Sequence, residues 1–147
     1  MTALAADAPL ITEKAQPWSS NHAPAPAASS TQFFKGGMIV LDQADGIVKK
    51  ASTATGLIAL GVSEENLLTV ASNARRLKTR NGVWGPFANS AAADAIAADD
   101  IGKDCFIVDD NTVALTSNSS ARSRAGKVYE VDANGGVFVA FTFPLAT

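Results

Sequence analysis

At 147 residues, with 47% hydrophobic and 18% charged side chains, the chain is one domain's worth of globular sequence. Such a length can bury roughly 68–70% of its unfolded surface. A net charge of −2 makes no field that would draw nucleic acid or a membrane surface, so neither is expected as a partner. A lone cysteine rules out an intrachain disulfide framework and suits synthesis in a reducing compartment.

Residues 1–32 read as an extended N-terminal arm. Its first thirty residues are alanine-rich, carry four of the six prolines and end in the low-complexity tract HAPAPAASS. Proline biases such a stretch toward polyproline-like conformations, and its apolar density is too low to fold alone. No basic n-region precedes its apolar residues, and Asp7 and Pro9 interrupt them, so no signal peptide is expected. Leu10, Ile11 and Trp18 stand out as anchors, each able to stabilise a docked state by roughly 1.5–3 kcal/mol.

A β-rich domain is expected over 33–147, opening at Phe33 and Phe34. Met38–Leu41 and Ile47–Ala51 form a hairpin about the turn DQADG, where Gly46 accepts a positive φ. Leu57–Val62 is a third apolar strand, and Leu67–Ala71 alternates weakly as a fourth. Arg75, Arg76, Lys78 and Arg80 precede Asn81-Gly82, the strongest short hairpin signal. They are read as a basic surface hairpin: a solvated edge first, then a contact for an acidic protein surface, and last a contact for nucleic-acid phosphate. Ser90–Ala98 (SAAADAIAA) is the one expected helix, with Ser90 as its cap. From Ile101 to Phe143, strands alternate with the turns at Asp109–Asn111 and Asp132–Gly136, which reads as a β-meander. The fold class expected is mainly β: a small barrel or meander with one short helix and an extended arm. No apolar run approaches the ~20 residues of a membrane helix.

Little in the chain points to catalysis. The single histidine, His22, lies in the proline-rich tract, which removes a Ser-His-Asp triad, a Cys-His pair and a histidine-based zinc site. Cys105, inside the run CFIV, reads as a small buried hydrophobe. Glycines at 36–37 and 135–136 sit in turns, and no phosphate-cradling motif joins a strand to a helix. Asp94, Asp99, Asp100, Asp104, Asp109 and Asp110 lack the spacing of a calcium loop and read as turn and cap residues, with a metal-dependent hydrolase as the contrary reading. No cofactor, no metal and no enzymatic activity are expected.

The order of signals carries a resemblance. KGGMIVLDQADGIVKKAS, then GLIALGV, then IGKDCFIVDDNTVA, RSRAGKV and the closing GVFV resemble the capsid decoration (cement) proteins of tailed phages, especially those of Mu-like siphophages and transposable phages. The resemblance spans roughly residues 33–143 and rests on strand starts and turns. It implies a homotrimer on the outer face of an icosahedral head, made in the host cytoplasm, that stabilises the lattice of the major capsid protein. It further implies that the arm, through Leu10, Ile11, Trp18, Phe33 and Phe34, lies along that lattice, where three arms per trimer would act together. The alternative is a trimeric spike or adhesin-like module whose basic hairpin 75–82 contacts a host surface.

Overall fold

The computed structural model describes residues 12–13, 21–70 and 75–141. It is mainly β, with 48% of the described residues in strands and 5% in helical turns. Strands β1 (Thr12–Glu13), β2 (Asn21–His22), β3 (Gln32–Phe33), β4 (Met38–Asp42), β5 (Ile47–Lys50), β6 (Leu57–Ser63), β7 (Leu67–Leu68) and β8 (Lys78–Arg80) precede the crossing point. Beyond it come β9 (Gly82–Asn89), β10 (Asp104–Asp109), β11 (Thr112–Ala114), β12 (Arg124–Val131) and β13 (Val137–Phe141).

The C-terminal half is a closed five-stranded barrel. Its order is β9-β11-β10-β12-β13, and β13 returns to pair with β9. Closure leaves little free edge for strand-to-strand aggregation, and where β9 runs past β11 it is paired by β1, Thr12 with Gly85 and Glu13 with Trp84. The expected turns form: Asp109 accepts from the Asn111 amide at 2.8 Å, and Asp132 accepts from the Asn134 and Gly136 amides at 2.9 and 2.8 Å. The pairing is not a simple meander, because β12 returns beside β10 and not beside β11. Inside lie Trp84, Phe87, Cys105, Ile107, Val113, Val137, Val139 and Phe141, with the Phe87 and Phe141 rings edge to face at 6.0 Å. Cys105 is fully buried and its thiol is pushed up to about 12 by that burial. A thiol reagent should therefore leave Cys105 unmodified in the native protein and react with it fully in denaturant; rapid native labelling would show the barrel open at β10.

The N-terminal half is a five-stranded half-barrel, β2-β8-β6-β4-β5, over a second core of Ala23, Ala27, Phe33, Ile39, Val48, Leu60 and Leu77. Residues 21–28 of the expected arm lie along this half-barrel. Ala23 donates to the Leu77 carbonyl at 2.8 Å and Ala27 to the Arg75 carbonyl at 2.9 Å. On the other side Ala28 donates to the Val48 carbonyl at 2.8 Å, and Val48 donates to Pro26 at 3.0 Å. Residues 21–28 thus tie the two edges of the half-barrel together, and Ala23 and Ala27 are buried. The tract HAPAPAA is part of the fold because these amides have ladder partners inside it.

Two further expectations change. Asn81-Gly82 is not a hairpin turn: β8 pairs with β2 and β6, whereas β9 belongs to the closed barrel. Gly82, at φ 108, lets the chain pass from one sheet to the other, and the Trp84 indole donates to the Asn81 carbonyl at 2.9 Å. The expected helix is replaced by two 3-10 turns, Ala92–Asp94 and Ala98–Asp100. The Asn89 amide side chain bonds both the amide and the carbonyl of Ile96 at 2.9 and 2.8 Å, and Leu115 donates to the Asp94 carbonyl at 2.9 Å. Those bonds hold the alanines extended between the turns, and Ser90 donates its hydroxyl to Val113 at 3.0 Å instead of capping.

Candidate interaction surface

The sequence-selected residues do not converge on one surface. Leu10, Ile11 and Trp18 lie outside the described residues. Phe33 is 1% exposed in the N-terminal core, so it cannot serve as a free arm contact. Phe34 is half-buried beneath the Lys50 ammonium, 5.3 Å from its ring centroid.

The basic residues are tied back to their own subunit. Arg75 pairs with Glu65 at 3.0 Å, and Arg76 donates to the Ala23 carbonyl at 3.2 Å. The Lys78 amide donates to Glu65 at 2.7 Å, leaving its exposed side chain to project from the sheet. Arg80 reaches Glu64 at 3.5 Å and lies 5.9 Å from the Trp84 ring centroid. They brace the seam between β6 and β8 more than they form a free cationic patch.

Sequence reasoning passed over the more telling feature. Leu68 and Val70 are 65% and 63% exposed, the largest exposures among the described large hydrophobics. They are held outward by what lies between them. Thr69 is buried, its amide donates to the Thr31 carbonyl at 3.0 Å, its hydroxyl donates to Ala28, and the Thr31 amide donates back to that hydroxyl at 2.9 Å. With Thr69 fixed inward, the two-residue period of the β3–β7 pair turns Leu68 and Val70 to solvent. Lys35, whose amide donates to the Asn66 side chain at 2.8 Å, lies at the start of the same turn-and-strand unit. Apolar side chains on a backbone pinned this way suit contact with another protein.

The acidic stretch serves local structure. Asp94 accepts from the Thr116 hydroxyl and, at 3.2 Å, from Arg122; Asp100 accepts from the Ala97 amide at 2.8 Å and from Lys103 at 2.9 Å. Asp104 holds Arg124 at 2.8 Å and Lys127 at 2.9 Å, while buried Asp110 lies 3.7 Å from Lys50. Among the described residues no three acidic, histidine or cysteine side chains gather as a metal site would require. The Thr116 hydroxyl and then Arg122 lower the Asp94 pKa, the Ala97 amide and then Lys103 lower that of Asp100, and Lys127 and Arg124 lower that of Asp104. A depressed folded pKa gives stability that is complete above the unfolded value, about 4, and is lost as pH falls through the folded values. The melting temperature should accordingly hold from neutral pH down to about pH 5 and drop below about pH 4. Asp100→Asn should flatten that acid limb; an unchanged limb would assign the loss to other carboxylates.

Comparison of the chain with protein-family models, with curated proteins and with solved structures finds no match.

Proposed function

We propose that the protein is a non-enzymatic structural module that coats a larger protein assembly, and specifically a decoration protein on the outer face of a phage head. The observation that carries the docking part is the outward Leu68–Val70 pair on a backbone pinned by Thr69. The sequence resemblance to cement proteins supplies the head, the major capsid protein as partner and the homotrimer. The arm's share in binding falls to residues of 1–20 other than Thr12 and Glu13, which pair with Gly85 and Trp84 of β9, since residues 21–28 of the expected arm are bonded to the half-barrel.

The test mixes purified protein with expanded, DNA-free heads and measures what sediments with them. Saturation at hundreds of copies per head supports the cement reading. Saturation at a few copies would favour the spike-like alternative, and no co-sedimentation would remove both. Each exposed aliphatic, if buried on docking, contributes roughly 1.5–3 kcal/mol. Leu68→Glu with Val70→Glu should therefore weaken head binding at least about a hundredfold with little change in melting temperature. Unchanged binding would exclude this patch as the docking face.

A further inference from the structure

The two halves repeat one unit. Around the closed barrel the order is β9, β13, β12, β10, β11 and back to β9; around the half-barrel it is residues 21–28, β8, β6, β4, β5 and back to residues 21–28. In each ring the neighbours are antiparallel except at the closing contact, which is parallel: Asn89 with Val113 in one, Ala27 with Val48 in the other.

The register repeats as well. Met38 faces Val62, Ile39 faces Gly61 and Val40 faces Ala59, leaving Leu60 as an extra residue. Asp104 faces Lys127, Cys105 faces Gly126 and Phe106 faces Arg124, leaving Ala125 as the extra residue. One strand further on, Val62 faces Arg80 as Lys127 faces Ala140. At the matched glycines, a Cβ on Gly61 would overlap the Arg80 carbonyl oxygen and one on Gly126 that of Ala140. Shared order, shared bulge and shared backbone crowding make chance convergence of the halves a poor explanation.

Superposing the register sorts the side chains. Inward positions are apolar in both copies: Ile39 with Cys105, Val48 with Val113, Leu60 with Ala125. Outward positions differ. Met38, Val40, Ala59 and Val62 of the first unit are buried in the core shared with the second. Their counterparts are Asp104, Phe106, Arg124 and Lys127, where Asp104 binds both cations and its side chain is 43% exposed.

We infer that the outer face of β10 and β12 is a stacking face, of the kind that joins the first unit to the second, closed by the Asp104–Arg124–Lys127 cluster against a second copy of this chain. Docking there would strip water from Asp104 and from the two cations it holds, Arg124 and Lys127, which disfavours it, and end units of repeat stacks carry such polar faces. The receiving surface follows from the same correspondence. Within the chain, the first unit lies against the Val108–Asp110 turn, through Ser52, Thr53 and the Met38 amide. The equivalent turn of the first unit, Asp42–Gly46, is exposed from Gln43 to Gly46. A copy with its outer face opened would meet that turn head to tail, a contact that propagates.

The experiment transplants the first unit's face onto the second in the full chain, as Asp104→Met, Phe106→Val, Arg124→Ala and Lys127→Val, and follows sedimentation velocity over a hundredfold concentration range. The expected result is association beyond the parent's state that grows with concentration and is suppressed by Ala44→Trp in the receiving turn. A folded variant that sediments like the parent at every concentration would overturn the inference. Should the fourfold variant not fold, Arg124→Ala with Lys127→Val is read by the same criterion. The parent's state should also be unmoved by Lys127→Glu; dissociation by that change would make the face a working interface and refute its closure.

Discussion

Phe33→Ala should destabilise the protein by about 3–5 kcal/mol, the usual cost of emptying a buried aromatic site. Phe33 is 1% exposed and packs among Ala23, Ala27, Ile39, Val48, Leu60 and Leu77, so the cavity would open in the middle of the N-terminal core. For a protein of this length the loss corresponds to a fall in melting temperature of roughly 6–20 °C. Circular dichroism against temperature checks it. A variant that melts like the parent yet no longer binds heads would return Phe33 to the arm and remove it from the N-terminal core.

The second large effect is expected at the paired glycines. Gly61→Ala and Gly126→Ala each drive a methyl group into a backbone carbonyl oxygen, Arg80 in one case and Ala140 in the other. Neither obstacle is the end of a flexible side chain, so the strands must separate. Gly61 also sits at φ 134, outside the range an alanine accepts readily. Losses of about 3 kcal/mol or more are expected for each, with Gly61 the more sensitive because strain adds to the clash. Urea midpoints would measure both. A substitution that leaves either midpoint in place would mean that the glycine does not lie against that carbonyl and that the two strands pair in another register.

Much of the fold is legible in the residues, and the illegible parts have physical causes. Met38–Asp42, Ile47–Lys50 and Leu57–Ser63 stand out because apolar runs are cut by turns with Asp and Gly at the positions that need them. The same is true of β10 to β13, where Asp109 and Asp132 bond the amides two residues on. The closing segment is illegible for the opposite reason. Pro24 and Pro26 carry no amide proton and its alanines have little surface to bury, so nothing local marks HAPAPAA as strand-like. Its ladder bonds come from Leu77, Arg75 and Val48, up to about fifty residues away. Asn81-Gly82 misleads in a related way, since a local turn signal cannot report that its flanking strands belong to different sheets. In Ser90–Ala98, helix propensity loses to the Asn89 side chain and to the Asp94 and Asp100 networks.

The candidate surface was less legible still. Leu67–Val70 alternates too weakly for its faces to be told apart in sequence, and only the buried Thr69 shows which residues must face out. The repeat is hidden because the outward matched positions have changed type: Met38 stands against Asp104, Ala59 against Arg124 and Val62 against Lys127. What has been kept is backbone pairing, the apolar character of the inward positions and the paired glycines Gly61 and Gly126. The functional reading depends on which stretch of the N-terminal region is free to reach a partner and which is structural.

Native-state hydrogen exchange at Ala23, Ala27 and Ala28 addresses that division most directly. Each of these amides donates to a carbonyl of the half-barrel, so their protection should match that of β4 and β6 amides and vanish with them on unfolding. Exchange at the rate of a free peptide, while β4 and β6 stay protected, would place residues 21–28 in a free arm and contradict their role as the strap of the half-barrel.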